Sequence, residues 1–165
     1  MHALSRQRGV SLIEVMVAVL IFSIGVLGLA LLQAKGAQFT KESGSRTAAI
    51  IQARSLADAM RANPAGAKPA GGVDSYYIYN GTPAYSQADC DSTTLASPQD
   101  VAKRDLACWV VGLRKLIPAP PTGVQMATVS KDTNLGTLTV RVSWNGVAGV
   151  GGNSNQSYSF SYLPE

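Results

Sequence analysis

The chain has 165 residues, of which 46% are hydrophobic and 15% are charged, and its formal net charge is +4. This length and composition suit one membrane anchor followed by one globular domain of ordinary size. The basic residues are scattered along the chain, which argues against the positive stripe of a nucleic-acid-binding domain. No nucleic-acid partner is therefore expected.

An apolar stretch lies near the amino end. Val15 to Leu32 carries no charge and nothing more polar than Ser23. A helix rises about 1.5 Å per residue, so this stretch is long enough to cross a bilayer core of roughly 30 Å. Arg6 and Arg8 precede it, which predicts that the short amino end stays in the cytoplasm and the rest lies outside.

Glu14 interrupts the start of this stretch. A carboxylate in a membrane segment is costly, less so near a helix end, and by default indicates function. A cleaved secretory signal does not account for it, because such a signal has a shorter apolar core with the small-residue cleavage site after it, whereas Gly9 comes before. A plain single-pass anchor explains the length and orientation but leaves Glu14 unexplained.

Gly9 followed by VSLIE resembles the class III leader of type IV prepilins and of type II secretion pseudopilins. The resemblance implies that a prepilin peptidase cuts after Gly9 on the cytoplasmic side and methylates the new amino terminus at Val10. It is strongest from Gly9 to Gln33, where the pattern looks most like that of minor pilins of the PilV type. Beyond about Met60 the resemblance weakens, and it covers the sheet only as a type of structure.

The charges that cleavage would create are consistent with the role that this motif implies. The new amine on Val10 would have a pKa of about 7.7 and be largely cationic, and methylation keeps the charge. Glu14 lies four residues further on, on the same helix face. In a low-dielectric filament core each charge needs the other as a partner. The resemblance implies that Glu14 pairs with the amine of a neighbouring subunit, which would set the axial register.

Three departures from the family pattern are visible. Val10 stands where these proteins most often have phenylalanine. The apolar helix has Leu31 and no proline, and Cys90 and Cys108 lie far from the carboxyl end. Major pilins usually have both that proline and a terminal disulfide loop, so the last two differences favour a low-abundance minor subunit.

After Lys35 the sequence is polar enough for water but keeps a helical stripe of apolar residues. A single helix is therefore predicted from Val10 to about Ala62, where Asn63 and Pro64 end it. The stripe consists of Ala49, Ile50, Ala53, Leu56, Ala57 and Met60.

A loop from Pro64 to Gly72, a short strand from Val73 to Tyr79 and an irregular, exposed segment from Asn80 to Ala96 are predicted next. A second helix begins at Ser97, where Pro98 and Asp100 complete a capping box, and Pro118 stops it. Its predicted apolar face consists of Ala102, Leu106, Trp109, Val110, Leu113, Leu116 and Ile117.

The remaining sequence predicts antiparallel strands at Val124 to Val129, Leu138 to Trp144 and Tyr158 to Tyr162, because apolar residues alternate in the last two. Lys131 to Gly136 is a predicted turn, and Gly146 to Gln156 a predicted glycine-rich loop. The three strands would form a meander packed on the helical stripe. The expected fold class is α+β and pilin-like, a long amino-terminal helix on a short antiparallel sheet with a second helix.

Cys90 and Cys108 are the two cysteines of the chain. In an oxidising periplasm they are expected to form a disulfide, which closes a loop of about 17 residues and contributes roughly 3 kcal/mol. Two cysteines cannot form a structural zinc site, and Asp89 and Asp91 are too few for a calcium loop. No metal and no other cofactor are expected.

No catalytic pattern is found in the sequence. The single histidine, His2, lies in the leader, and neither a nucleophile elbow nor a phosphate-binding glycine loop is present. We expect the protein to be the substrate of an enzyme, the prepilin peptidase, rather than an enzyme itself.

The sequence thus predicts a leader at residues 1–9, a hydrophobic membrane and filament-core helix at 10–34, and a periplasmic globular domain at 35–165. The resemblance implies that the protein joins other minor pilins and the major pilin in the inner membrane, primes type IV pilus assembly and reaches the pilus on the cell surface. A type II secretion minor pseudopilin, a competence pilin that contacts DNA and an anchored domain that never assembles remain as alternatives.

Overall fold

The computed structural model describes residues 9, 11–147 and 155–164. Four helices and three strands are found there, in the order α1 Leu12–Ala62, α2 Pro64–Ala67, α3 Gln87–Cys90, α4 Pro98–Leu116, β1 Ala127–Lys131, β2 Leu138–Asn145 and β3 Asn155–Tyr162. The predicted α+β class is confirmed, with a long amino-terminal helix packed on a three-stranded antiparallel sheet. The predicted methylated terminus, Val10, lies outside the described residues.

The chain divides into two compact units, residues 1–39 and residues 40–165. In the first unit α1 begins at Leu12 and every described residue is exposed. In the second unit α1 ends at Ala62, as predicted. There it buries one stripe of mostly small side chains, which lets neighbouring elements approach closely. The buried residues are Ser45, Ala49, Ala53, Leu56, Ala57 and Met60.

The start of α4 follows the predicted capping box. The hydroxyl of Ser97 accepts a hydrogen bond from the backbone N–H of Asp100 at 3.2 Å, and the Asp100 carboxylate accepts one from the Ser97 N–H at 3.0 Å. Most of the predicted apolar face is buried, but Leu116 is 55% exposed, so that assignment was wrong. The helix ends at Leu116, and Ile117 adopts extended backbone geometry and is buried instead.

The sheet is a meander with strand order β1-β2-β3, as predicted. However, β1 begins at Ala127 rather than Val124 and extends to Lys131, which was assigned to a turn. A turn before β1 explains the shift: the Val124 N–H bonds to the carbonyl of Pro121 at 3.1 Å, and Gly123 has a positive φ of 85°. The β2–β3 loop was predicted from Gly146 to Gln156, but β3 already begins at Asn155.

Two predictions for the connection between α1 and α4 were wrong. The proposed loop after Ala62 opens with the one-turn helix α2, because the Asn63 side chain accepts a hydrogen bond from the Gly66 N–H at 3.1 Å. Residues 73–79 do not form a strand; Tyr79 alone pairs there, as an isolated bridge to Val129. Turn geometry at residues 71–72 and 76–77 prevents a longer ladder.

The segment from Asn80 to Ala96 is also more ordered than predicted. It contains α3, whose first turn is closed by a capping box between Ser86 and Asp89. Tyr85 is buried rather than exposed, because its ring stacks on that of Tyr79 with 5.3 Å between centroids. This segment therefore contributes to the core of the second unit.

Candidate functional site

The first candidate site is the amino-terminal turn of α1. The carbonyl of Ser11 accepts hydrogen bonds from the backbone N–H groups of Glu14, at 3.0 Å, and of Val15, at 3.3 Å. These bonds place Glu14 in the first helical turn, one of the positions where a helix dipole favours negative charge. Gly9 is exposed just before the helix. The site thus places an acid in the first turn of the helix, five residues after the exposed Gly9.

The helix that follows presents an apolar surface on all sides. Large side chains from Leu12 to Leu32 are between 46% and 77% exposed. An 18-residue window of this helix has a mean hydropathy of 2.9, and none of it is buried. By length and composition the helix can cross a membrane. Such a surface needs an apolar environment, supplied by lipid or by other helices.

Glu14 is the exception on this surface. Its carboxylate makes no hydrogen bond or ion pair within the residues that the structure describes. Ser23, by contrast, satisfies its own hydroxyl by donating to the carbonyl of Val19 at 2.7 Å. In an apolar environment an ionised carboxylate needs a cationic partner. The partner of Glu14 must therefore come from outside the described part of the chain.

Gly25 and Gly28 lie three residues apart on the same helix. Neither would bring an added Cβ within 4 Å of a neighbouring atom in the described structure. Small residues at this spacing leave a shallow surface on which another helix can approach closely. The first unit thus has three features that suit association with other helices. These are its apolar surface, the shallow surface at Gly25 and Gly28, and the Glu14 carboxylate, which has no partner among the described residues.

The second unit contains the two cysteines. Cys90, at the end of α3, and Cys108, within α4, are joined by a disulfide, and their Cα atoms are 4.5 Å apart. Two hydrogen bonds support the same connection. Arg114 donates to the carbonyl of Tyr85 at 2.6 Å, and Lys115 donates to the side chain of Gln87 at 3.0 Å. The disulfide therefore holds the segment before α4 against that helix, the connection that the sequence predicted.

A buried polar network connects the end of α1 with α4. The hydroxyl of Tyr77 donates to Asp105 at 2.7 Å and accepts from the amide of Asn63 at 3.2 Å. The same Asn63 amide also donates to the carbonyl of Pro98 at 2.8 Å. Burial and the hydrogen bond to Asp105 raise the pKa of Tyr77 above its ordinary value. No sequence pattern indicated this network, because its members come from three separate segments.

Glu42, like the network around Tyr77, makes contacts that the sequence did not lead us to expect. Its carboxylate accepts hydrogen bonds from the indole N–H of Trp144 at 3.4 Å and from the backbone N–H of Val147 at 2.9 Å. Trp144 is almost fully buried. A signal was available, since Glu42 continues the helical spacing of the buried positions Ser45 and Ala49. Glu42 thereby fixes the end of β2 to α1.

The carboxylates beside Cys90 serve local structure. Asp89 accepts from the backbone N–H and the hydroxyl of Ser86, at 2.9 and 2.7 Å, and these bonds lower the pKa of Asp89. Asp91 accepts from the side chain of Gln87 at 2.8 Å. Among residues 9, 11–147 and 155–164, no three or more His, Cys, Asp or Glu side chains are grouped so that they could hold a metal ion.

Comparison with known proteins bears on the first unit only. The family model described as the prokaryotic N-terminal methylation motif matches residues 4–30. No curated protein and no solved structure matches the chain. The matched segment contains Gly9, Val10 and Glu14, and it supports a type IV pilin-like or pseudopilin protein with a class III leader. Such a leader implies processing by a prepilin peptidase and membrane anchoring with a soluble domain.

Proposed function

We propose that the protein is a minor pilin of the type IV pilus, of the PilV type. Prepilin peptidase removes residues 1–9 by cutting after Gly9 and methylates Val10. Residues 10–34 then serve as the membrane and filament-core helix, and residues 35–165 form the periplasmic domain. The observation that carries the proposal is Glu14, which lies within the matched methylation motif. It is an acid on an otherwise apolar and exposed helix, and it has no partner among the described residues.

The chemistry of this site explains why cleavage and assembly are coupled. Cleavage after Gly9 produces an amine on Val10, four residues before Glu14, and methylation leaves that amine cationic. Removing one partner of a buried ion pair destabilises the structure by about 3–5 kcal/mol, because the other charge is left buried without compensation. The association of subunits is therefore most stable when the amine of one helix lies beside Glu14 of its neighbour. Before cleavage this amine does not exist, so an unprocessed chain lacks the partner for Glu14.

A minor rather than a major role is supported by two features. The apolar helix from Leu12 to Leu32 contains no proline. The disulfide joins Cys90 to Cys108, inside the domain instead of at its carboxyl end. In the proposed role the protein joins other minor pilins and the major pilin in the inner membrane and primes pilus assembly. It then remains in the pilus at the cell surface, and effects on adhesion and twitching motility follow indirectly.

Intact-mass analysis of the mature protein from membranes and sheared pili tests the proposal. We expect a mass that lacks residues 1–9, includes one added methyl group and is two hydrogens short because of the disulfide. A Gly9→Glu variant serves as control, since it blocks the cut and retains the leader. A functional native protein that keeps residues 1–9 would overturn the proposal.

A second experiment separates the pilus from the secretion system, because a type II secretion minor pseudopilin has the same motifs. Deletion of the gene should reduce surface pili and twitching, while the secreted exoproteins remain at their normal level. Restoring the gene should restore the pili, and restoring the Gly9→Glu variant should not. Normal pili together with a loss of secreted exoproteins would assign the protein to secretion instead.

A further inference from the structure

A short loop joins Tyr79, which pairs with β1, to the segment before α3. It contains Asn80, Gly81 and Thr82, and the first and last of these are exposed. Asn80 was predicted to begin an irregular segment and was given no role. An asparagine followed by glycine is chemically unusual, because glycine has no Cβ to hinder attack by its backbone nitrogen on the side-chain amide before it.

The side chain of Asn80 is folded back toward its own backbone. Its carbonyl oxygen, Oδ1, accepts hydrogen bonds from the backbone N–H of Thr82 at 3.1 Å and from the Thr82 hydroxyl at 2.7 Å. The ring that the first of these bonds closes contains the peptide bond between Asn80 and Gly81. The side-chain carbon Cγ therefore lies near the nitrogen of Gly81, which is the proximity that an intramolecular attack needs.

The same two bonds polarise the side-chain amide. An attack on Cγ moves negative charge onto Oδ1, and two donors already directed at that oxygen stabilise the charge as it develops. Within the part of the chain that the structure describes, neither the Gly81 N–H nor the side-chain NH₂ of Asn80 donates a hydrogen bond. The attacking nitrogen and the leaving nitrogen are thus both available.

The fold requires glycine at position 81. Gly81 has a φ of 96°, a backbone conformation that glycine adopts without strain. A Cβ added there would also meet the side chain of Gln125. The turn therefore keeps, directly after Asn80, the residue that leaves the side-chain amide most open to attack.

The sequence contains a second asparagine–glycine pair, Asn145 and Gly146, in different surroundings. Asn145 is the last residue of β2 and pairs with Asn155 of β3. This ladder resists the backbone rotation that closing a succinimide ring requires. No donor to the Asn145 side chain is found among residues 9, 11–147 and 155–164. The two pairs therefore offer a comparison within one molecule.

We propose that Asn80 is a site of spontaneous deamidation in the folded protein. The nitrogen of Gly81 forms a bond to Cγ of Asn80, the bond from Cγ to Nδ2 breaks, and the proton of the Gly81 nitrogen leaves with Nδ2 as ammonia. Water then opens the succinimide ring at either carbonyl and leaves isoaspartate or aspartate at position 80. Nothing is oxidised or reduced, and water is the only co-reactant. The inference does not depend on the proposed function.

Isoaspartate formation changes the loop that Tyr79 closes. The main chain then runs through the former side chain of Asn80 and gains one carbon atom, and the position gains a negative charge. The Tyr79 hydroxyl donates to the carbonyl of Pro83 at 3.0 Å, across this lengthened stretch. We expect that bond to weaken, and with it the bridge between Tyr79 and Val129 that covers β1. The reaction thus makes this loop looser in an old molecule than in a new one.

Peptide mapping of the full-length protein, kept folded in detergent at neutral pH, tests the proposal. Deamidation replaces NH₂ by OH, so the change in mass identifies the reacted peptide, and water enriched in heavy oxygen labels the product. We expect Asn80 to react at least about fivefold faster than Asn145 in the folded protein. In urea with a reducing agent both surroundings are lost, and the two rates should become similar. A folded-state rate at Asn80 no higher than at Asn145, or an advantage that persists in urea, would overturn the proposal.

A pair of variants tests the role of the turn. Thr82→Val removes the hydroxyl donor but keeps the backbone N–H and nearly the same side-chain shape, so deamidation of Asn80 should slow several-fold. Thr82→Ser keeps both donors and is the matched control, with a rate close to that of the wild type. Labelling by an isoaspartyl methyltransferase measures the isoaspartate in each variant, and an intact Cys90–Cys108 disulfide with resistance to protease reports folding. Equal rates in the two folded variants would contradict the inference, and the wild-type comparison in urea needs no variant.

Protein purified from native membranes of young and old cultures extends the test to the cell. The share of isoaspartate at position 80 should rise with culture age, and the Val129 amide, which donates to Tyr79, should exchange faster in that fraction. Asn80, Gly81 and Thr82 also form an acceptor triplet for N-linked sugars. A glycan on Asn80 would overturn the inference, because the sugar occupies the nitrogen that has to leave. None of these results bears on cleavage after Gly9, so the proposed function is tested separately.

Discussion

The hydroxyl of Tyr77 donates a hydrogen bond to Oδ2 of Asp105 across 2.7 Å, although the two residues are 28 positions apart. Tyr77 is fully buried, and Asn63 at the end of α1 donates to the same hydroxyl. One phenol therefore connects the end of α1 with α4. Because buried polar groups are costly when a partner is lost, this contact should contribute measurably to the stability of the domain.

Replacement of Tyr77 by phenylalanine should lower the free energy of unfolding by about 1–3 kcal/mol, because Asp105 loses its buried donor. The measurement is urea unfolding of the full-length protein in detergent, followed by the fluorescence of Trp109 and Trp144. Tyr76→Phe is the matched control, since no hydrogen bond is found for the Tyr76 hydroxyl in the described structure. Equal stability of the two variants would contradict the prediction.

The raised pKa of Tyr77 predicts a loss of stability in alkali. An unfolded tyrosine ionises near pH 10, about where a free phenol does. Burial and the bond to Asp105 keep the folded Tyr77 protonated above that pH, so the native state holds more protons than the unfolded state. The free energy of unfolding therefore falls as pH rises above about 10. Tyr79 and Tyr85 act in the same direction, so Tyr77→Phe should flatten this fall and not abolish it.

Loss of the Glu42 carboxylate should destabilise the attachment of β2 to α1. Glu42→Ala leaves the N–H groups of Trp144 and Val147 without their acceptor and should cost about 1–2 kcal/mol. The exposed neighbour Lys41 provides the control, because Lys41→Ala should leave stability within about 0.5 kcal/mol of wild type. A shift of Trp144 fluorescence in the folded Glu42→Ala protein would report the same loss. Identical unfolding curves for the two variants would disprove the role of Glu42.

The stabilising effect of the disulfide can be tested by mutation and by chemical reduction. Replacing both Cys90 and Cys108 by alanine should lower the free energy of unfolding by about 3 kcal/mol, because the loop between them is no longer closed in the unfolded chain. A reducing agent should destabilise the wild-type protein and leave the double variant unchanged. If reduction affected both proteins equally, the disulfide would not be the cause.

Glu14→Ala should greatly reduce incorporation into pili while leaving cleavage after Gly9 intact. The variant leaves the methylated amine of a neighbouring subunit without its partner in the filament core, at a cost of about 3–5 kcal/mol. Immunoblots of sheared pili and of membranes measure incorporation, and the intact mass reports cleavage. Ser23→Ala is the control, since the Ser23 hydroxyl donates to the carbonyl of Val19 within the same helix. Normal incorporation of Glu14→Ala would contradict the proposed pairing.

Local chemistry explains which elements could be predicted. The end of α1 follows from Pro64, which disfavours helix in the residue before it. The start of α4 follows from a capping box whose parts lie within four consecutive residues, Ser97 to Asp100. Alternation predicts β2 and β3 because the side-chain period of a strand is two residues. The candidate site around Glu14 was visible for the same reason, since all of its parts lie within a few residues of each other.

Other features depended on distant partners and could not be predicted. The short helices α2 and α3 have too few residues to show a period. Tyr85 was assigned to an exposed segment, and only its stacking on Tyr79 explains its burial. The bonds of Glu42 and of Tyr77 span 102 and 28 residues respectively. Helical spacing could place Glu42 on the buried side of α1, but no local pattern identifies a hydrogen-bond partner at such a distance.

By itself the sequence determined the apolar helix with its one acid, the leader motif and the order of the main elements, because each depends on neighbours in the chain. Only the tertiary structure decided which backbone edge stays open. Tyr79 reaches Val129 and covers β1, whereas β3 pairs with β2 alone in the sheet of the described residues. That difference depends on how separate segments pack, since backbone groups have the same hydrogen-bonding capacity in every strand.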